Sequence, residues 1–275
     1  MSSMTWVDGL PCRSVAVDDR GLLLADGVFE TIRWSGLGVF RKALHIARLT
    51  DGLKALVFDD PAAQAALAFD QLKQALNSLP AGETGVARIT VTRGSGPRGY
   101  APSATAVPRI VISLFVGHTV SADPARLIVA KIRWPIQPQL AGLKLLARTE
   151  QVLAAYEASQ AGAVDAVMLN QNGSVISSAT GNLFIRCGQK LLTPALHEAG
   201  IAGTRRAVIL SDLAAQLGFE AQEVTMSLDD VLAADEVFTS NSVVGIRSVA
   251  QLLTRSWSEF PASEALAALI PGEPV

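Results

Sequence analysis

The order of apolar and polar positions divides the chain into short alternating runs and longer helical ones. Alternation and β-branched enrichment predict strands at Thr5–Val7, Val15–Val17, Phe29–Trp34 and Val39–Phe40. From Lys42 to Leu56 the spacing turns helical, with Leu44, Ala47, Leu49, Leu53 and Leu56 on one stripe. Pro61, suited to a first helical turn, opens a second helix over Ala62–Leu79. Strands at Gly85–Arg93 and Arg109–Phe115 flank the glycine-rich loop Gly94–Pro102, which carries Arg98 and Tyr100. The polar stretch His118–Pro124 reads as a linker between an N-terminal lobe, 1–117, and a C-terminal lobe, 125–275.

Beyond the linker the pattern predicts a strand at Arg126–Trp134, an irregular Pro135–Gly142 and a helix over Leu145–Gly162. A hairpin follows from Ala163–Leu169 and Val175–Ser178 around Asn172-Gly173. A second joins Asn182–Arg186 to Lys190–Thr193 around Gly188. Gly203 precedes a helix running to Leu217, and Glu220–Val224, Glu236–Thr239 and Val249–Leu252 are the last strands expected. Strands and helices mix without regular βαβ alternation, so the expected fold class is α+β in two lobes.

Composition narrows the function classes. With 49% hydrophobic and 17% charged residues and a mean hydropathy of +0.33, the chain is not globally disordered. No apolar run approaches the roughly 18–20 residues of a membrane span. Met1–Gly9 lacks the basic and apolar regions of a signal peptide, so a soluble, cytoplasmic protein is expected. A net charge of −2 with no basic stripe argues against a nucleic-acid partner. Cys12 and Cys187 have no metal-type spacing and read as free thiols. His45, His118 and His197 are scattered, so no metal is expected.

The 23 basic residues divide into 17 Arg and only 6 Lys, which leaves few candidates for chemistry that needs an amine. Lys144 lies among Leu143, Leu145 and Leu146, where partial desolvation favours the neutral amine. On spacing alone it also fits a lysine snorkelling from an amphipathic helix. Ile201-Ala-Gly-Thr-Arg205 places a glycine and a threonine at a helix start, either to receive a phosphate or simply to cap the helix. Thr239-Ser-Asn-Ser242 offers further phosphate donors, or a polar turn. Arg48 and Arg93 are candidate anion clamps or ordinary surface residues. Arg98 with Tyr100 suits a clasp for a substrate carboxylate, since guanidinium pairs carboxylates in bidentate fashion. The loop that carries them lacks the Gly-Lys-Ser/Thr of a nucleotide-binding P-loop.

Taken in order, these pieces resemble the fold-type IV pyridoxal-phosphate enzymes, the class IV aminotransferase superfamily, over nearly the whole chain. The resemblance rests on Asp19-Arg-Gly21, Asp26-Gly-Val-Phe-Glu-Thr31 and His45-x-x-Arg48-Leu49. It continues through Thr92-Arg-Gly-Ser-Gly-Pro-Arg-Gly-Tyr100, Ala141-Gly-Leu-Lys144 and Arg148-Thr-Glu-Gln151. Asn182-Leu-Phe184, Gly200-Ile-Ala-Gly203 and Asn241-Ser242 complete it. The Arg98 loop and the Lys144–Gln151 segment look most like the 4-amino-4-deoxychorismate lyase branch.

The resemblance implies two α+β lobes with pyridoxal 5'-phosphate in the cleft of a homodimer that acts on a small molecule. Lys144 would be the Schiff-base lysine. Arg48 would bind the cofactor phosphate together with Ala202, Gly203 and Thr204 and with Ser240, Asn241 and Ser242. Arg98 with Tyr100, and secondarily Arg93 or Arg109, would hold a substrate carboxylate. Three positions depart from the family pattern. Ser177 stands where a glutamate usually faces the pyridine nitrogen, Ala147 replaces an asparagine, and Leu24-Ala25 replaces an aromatic-glycine pair.

Overall fold

The computed structural model describes residues 3–35, 38–117, 121 and 123–270. The chain divides into two compact units. One takes the described residues to 117 together with Leu143–Ala147; the other takes those from 121 to Gly142 and from Arg148 onward. Of the expected linker His118–Pro124, positions 118–120 and 122 lie outside the described residues.

In the first unit, β1 (Ser3–Val7), β2 (Leu10–Pro11), β3 (Gly27–Ser35), β4 (Gly38–Val39), β5 (Gly85–Thr92) and β6 (Arg109–Val116) form one antiparallel sheet. Its order is β2-β1-β6-β5-β3-β4. Helices α2 (Lys42–Ala55) and α3 (Pro61–Asn77) build its core with the sheet. On α3 the residues Ala65, Ala68, Phe69, Leu72 and Ala75 are buried, the spacing of a single helical face. Asp60 caps that helix by accepting from Ala63 N at 3.2 Å, and Pro61 occupies its first turn as expected.

The short helix α1 (Arg20–Leu24) was not legible from apolar spacing, since Leu22 and Leu23 are exposed. Asp19 starts it, accepting from Gly21 N at 2.7 Å. The strand expected at Val15–Val17 does not form. No neighbouring strand pairs with it, and both valines are exposed.

The second unit holds β7 (Ala125–Trp134), β8 (Asp165–Asn170), β9 (Val175–Ser178), β10 (Asn182–Cys187), β11 (Lys190–Pro194), β12 (Glu220–Val224), β13 (Glu236–Asn241), β14 (Gly245–Leu252) and β15 (Arg255–Ser256). Their order is β12-β11-β10-β13-β14-β7-β8-β9, with β15 against β14. The pairs β11/β12, β14/β7 and β7/β8 are parallel and the rest antiparallel, which accords with a mixed α+β design.

Helix α4 (Thr149–Gln160) begins four residues later than the apolar spacing predicts. Residues 145–147 stay extended because Leu145 bridges Val28 and Leu146 N donates to Gly27 O at 3.0 Å. Leu145 is a core residue of the first unit, so its apolar character serves sheet packing rather than a helix face. The helix expected after Gly203 forms as α5 (Thr204–Val208), a π turn at Ile209–Leu213 and α6 (Ala214–Gln216). Helices α7 (Leu228–Ala233) and α8 (Pro261–Ala268) complete the unit.

Candidate active site

The candidate residues fall in both units, and each group is described within its own. In the first unit, Lys144 sits in the extended segment beside β3. Its carbonyl accepts from Phe29 N at 3.0 Å, and its Nζ lies 4.3 Å from the centroid of the Phe29 ring. The backbone is therefore pinned by sheet-like bonds while the amine rests on an aromatic face.

Arg48 on α2 donates from Nε to Glu30 Oε1 at 2.7 Å and from Nη2 to Glu30 Oε2. His45, one turn earlier, places Nδ1 2.7 Å from Glu30 Oε2. Glu30 has no exposed surface. Burial pushes its carboxyl toward the neutral form, but Arg48 and His45 outweigh that and hold it at about 2. Glu30 thus fixes how the Arg48 guanidinium is aimed. Sequence reasoning gave Glu30 and His45 no part in the site. The available signal was an acid on the Val28, Glu30, Ile32 stripe of an apolar strand, where every second residue faces inward.

Arg93 does not stand free as an anion clamp. Its Nε and Nη2 donate to Asp26 at 2.8 and 3.1 Å, and its remaining donors go to the carbonyls of Leu56 and Val57. All its nitrogens serve the fold. Arg109, the first residue of β6, pairs with Asp8 at 3.1 Å. Arg98 and Tyr100 are exposed on the glycine-rich loop. The loop is held by Arg20, whose Nη1 and Nη2 donate to the carbonyls of Gly99 and Tyr100 at 2.9 and 2.7 Å.

In the second unit, Gly203 begins α5 close to Asn182. A Cβ on Gly203 would lie 2.0 Å from Asn182 Oδ1. That amide is itself anchored by Nδ2 donating to Ile201 O at 2.9 Å, so only glycine fits. Ala202 N donates to Gly142 O at 2.9 Å. Thr204 Oγ1 and Ser242 Oγ are 3.0 Å apart, at the helix start. Asn241 Oδ1 accepts from the backbone of Val243 and Val244 at 2.9 and 2.7 Å, folding the chain after β13 into a turn. Ala202, Gly203, Thr204, Ser240, Asn241 and Ser242 are therefore gathered around β10, β13 and α5.

Ser177 and Ser240 are both buried, and their Oγ atoms have no hydrogen-bond partner among the described residues. Buried hydroxyls normally find a partner, so these two fit an external polar group. The cradle at Gly203, the hydroxyl pair at the helix start and the two unmatched serines suit a phosphorylated heteroaromatic cofactor. Among the described residues no cluster of His, Cys, Asp and Glu could hold a metal, and no helix is long and apolar enough to cross a membrane.

Comparison with known proteins follows the same line. The family model for amino-transferase class IV matches residues 27–252. The aminodeoxychorismate lyase of Vibrio harveyi is 34% identical over 250 residues, 90% of each chain. The crystal structure of 4-amino-4-deoxychorismate lyase from Pseudomonas aeruginosa superposes with a TM-score of 0.83 at 36% identity, covering 97% of both chains. An aminotransferase from Brucella abortus, bound to pyridoxal phosphate, gives a TM-score of 0.83 at 20% identity over 97% of both chains.

Proposed function

We propose, from the premise that the chain belongs to the class IV amino-transferase family, that it is a pyridoxal-phosphate-dependent lyase. It converts 4-amino-4-deoxychorismate to 4-aminobenzoate and pyruvate. One observation carries the reading. The lyases of Vibrio harveyi and Pseudomonas aeruginosa share 34% and 36% identity over 90% and 97% of the chain, ahead of a putative branched-chain-amino-acid aminotransferase of Methanocaldococcus jannaschii at 32% over 86%.

When bound, pyridoxal phosphate supplies an aldehyde that condenses with amines and a ring that draws electrons from the adjoining carbon. Lys144 Nζ is the amine that holds it at rest. Gly203 and Thr204 at the start of α5, with Ala202, Ser240, Asn241 and Ser242, would receive the phosphate, and Arg48, aimed by Glu30, would be the first unit's cation for it. Arg98 and Tyr100 take a substrate carboxylate.

With the substrate bound, Lys144 Nζ would serve as the base that takes the proton from the substrate's amine-bearing carbon. The neighbouring carbon–oxygen bond breaks, the ring becomes aromatic and the enol leaves. The lysine's proton then goes to the methylene carbon of the enol, giving pyruvate. Ser177 offers the ring nitrogen a hydroxyl. A hydroxyl would hold a proton there less well than a carboxylate, and the drive to an aromatic product would offset that weaker support.

We place the enzyme in the cytoplasm as a homodimer. The unpaired thiols of Cys12 and Cys187 and the exposed leucines of α1 support this. An aminotransferase remains the competing activity, because that group shares the fold. The deciding experiment combines a spectrum with a product assay. The purified protein is expected to show a visible cofactor band that borohydride fixes to the chain, lost in Lys144→Ala. It is also expected to release pyruvate from 4-amino-4-deoxychorismate with no keto-acid present. A band unchanged in the variant, or a strict need for a keto-acid acceptor, overturns the assignment.

A further inference from the structure

Arg148, just before α4, has no part in the chemistry above, yet two of its guanidinium nitrogens are left unmatched. Its Nε and Nη1 are buried and meet no hydrogen-bond acceptor among the described residues. The guanidinium lies 5.6 Å from the centroid of the Trp134 ring, beside the small apolar cluster of Ala130, Ala154, Ala166 and Met168. Burial pulls its pKa down to about 10, and Glu150 offsets only part of that. Several other arginines meet a carboxylate: Arg20 and Arg93 are paired with Asp26, Arg48 with Glu30, and Arg206 with Glu223. Buried guanidinium nitrogens without acceptors carry a desolvation cost, which an anionic ligand at the group would offset.

The neighbours of Arg148 are also short of partners. Gln151, one turn along α4, directs Nε2 toward Met168 Sδ at 3.9 Å, and its buried Oε1 has no partner among the described residues. Met168 on β8 is directly opposite Ser177 on β9, whose hydroxyl is likewise unmatched. The side chains of directly opposed strand residues share a face. Gln151, Met168 and Ser177 thus share one face of the unit, Arg148 stands one helical turn from Gln151, and unmet polar atoms lie at Arg148, Gln151 and Ser177.

We propose that Arg148 is the seat of an anionic oxygen, carried either by the ring of the cofactor or by a carboxylate of the substrate. This rests on the functional reading above. The substrate of that reading bears two carboxylates, and one Arg98 clasp accounts for one of them. An amino-acid substrate with a single carboxylate and an apolar side chain makes no such second demand, so in the substrate case Arg148 would favour the dianion.

The test uses full-length Arg148→Met, which keeps an unbranched apolar stem, and Arg148→Lys, which keeps the charge. The first measurement is thermal unfolding without ligand. The cost of burying its unmatched nitrogens offsets the guanidinium's contact with the Trp134 ring, so Arg148→Met is expected to melt no lower than the wild type. The second is titration of the ligand-free proteins with pyridoxal phosphate, followed by its visible band across pH. The third is the KM and kcat of pyruvate release. If the oxygen belongs to the cofactor, Arg148→Met weakens cofactor uptake about tenfold or more and shifts the pH profile of the band. If it belongs to the substrate, uptake and band are unchanged while KM rises about tenfold or more with kcat little altered. In either case Arg148→Lys recovers part of the loss. A variant that binds cofactor and substrate as the wild type does overturns the proposal, and so does one that melts lower without ligand. A wild-type protein that takes up no cofactor overturns the functional reading instead, and the melting comparison still reports on Arg148.

Discussion

At Glu30 two opposing effects meet, and their balance sets a measurable property. Desolvation alone would raise the carboxyl's pKa, but Arg48 and His45 bring it from 4.5 to about 2. A carboxyl depressed in the folded state adds stability that is fully present above its unfolded pKa and is lost as pH falls through the folded value. Here that window runs from about 4.5 down to about 2, and the contribution is on the order of 3 kcal/mol. Glu30→Gln should therefore unfold at lower denaturant concentration than the wild type at pH 7, with the gap narrowing at pH 3. An equal gap at both pH values would show that shape, not charge, makes Glu30 matter. The same residue marks a limit of reading sequence. Lys144 stood out because lysines are few and the residues around it form a recognisable order. Glu30 lies inside an equally recognisable stretch, but its part depends on a helix residue, Arg48, that comes within 2.7 Å only after β3 and α2 pack.

Among the elements, the loop with Arg98 is held by a residue from a different stretch of chain. Arg20 donates to Asp26 at 2.9 Å and to the carbonyls of Gly99 and Tyr100, and Thr92 Oγ1 donates to Asp19 at 2.8 Å. Burial works to raise the pKa of Asp26, but Arg93 and Arg20 override it and hold the carboxyl below its ordinary value. Helix α1, the end of β5 and the loop form one hydrogen-bonded body, and Arg20→Met removes its central donor. Trypsin is expected to cut after Arg98 several-fold faster in the variant at a temperature where both proteins are folded. Unchanged cleavage would mean that the loop keeps its shape without Arg20. This body was poorly legible beforehand, because glycine-rich loops carry no periodicity and α1 exposes its leucines. The strands and hairpins of the second unit were legible, since Asn172-Gly173 and Gly188 punctuate β-branched runs that fold against sequence neighbours. The start of α4 failed for the opposite reason: Leu145 looked helical locally and was taken by a strand more than a hundred residues earlier, at Val28.

On the scale of the whole molecule, the apolar surface of the first unit needs an explanation. Leu22 and Leu23 on α1 are 63% and 62% exposed, Val17 83% and Tyr100 88%. Isolated exposed apolar residues are ordinary, but here α1, the segment leading into it and the loop tied to it by Arg20 all present them. A second copy of the chain is the occupant that the proposed homodimer supplies, and burying these side chains would contribute roughly 1.5–3 kcal/mol for each large one. Leu22→Glu combined with Leu23→Glu places four like charges across a twofold contact, while costing the isolated chain little, because both positions already face water. The wild type should sediment near twice 28.9 kDa and the double variant near 28.9 kDa, with helix and sheet content preserved. A double variant that still sediments at the dimer mass moves the contact elsewhere. One that runs as a monomer and also loses cofactor uptake would link assembly to the phosphate cradle. One that runs as a monomer with the cofactor still bound would make cofactor binding a property of the single chain.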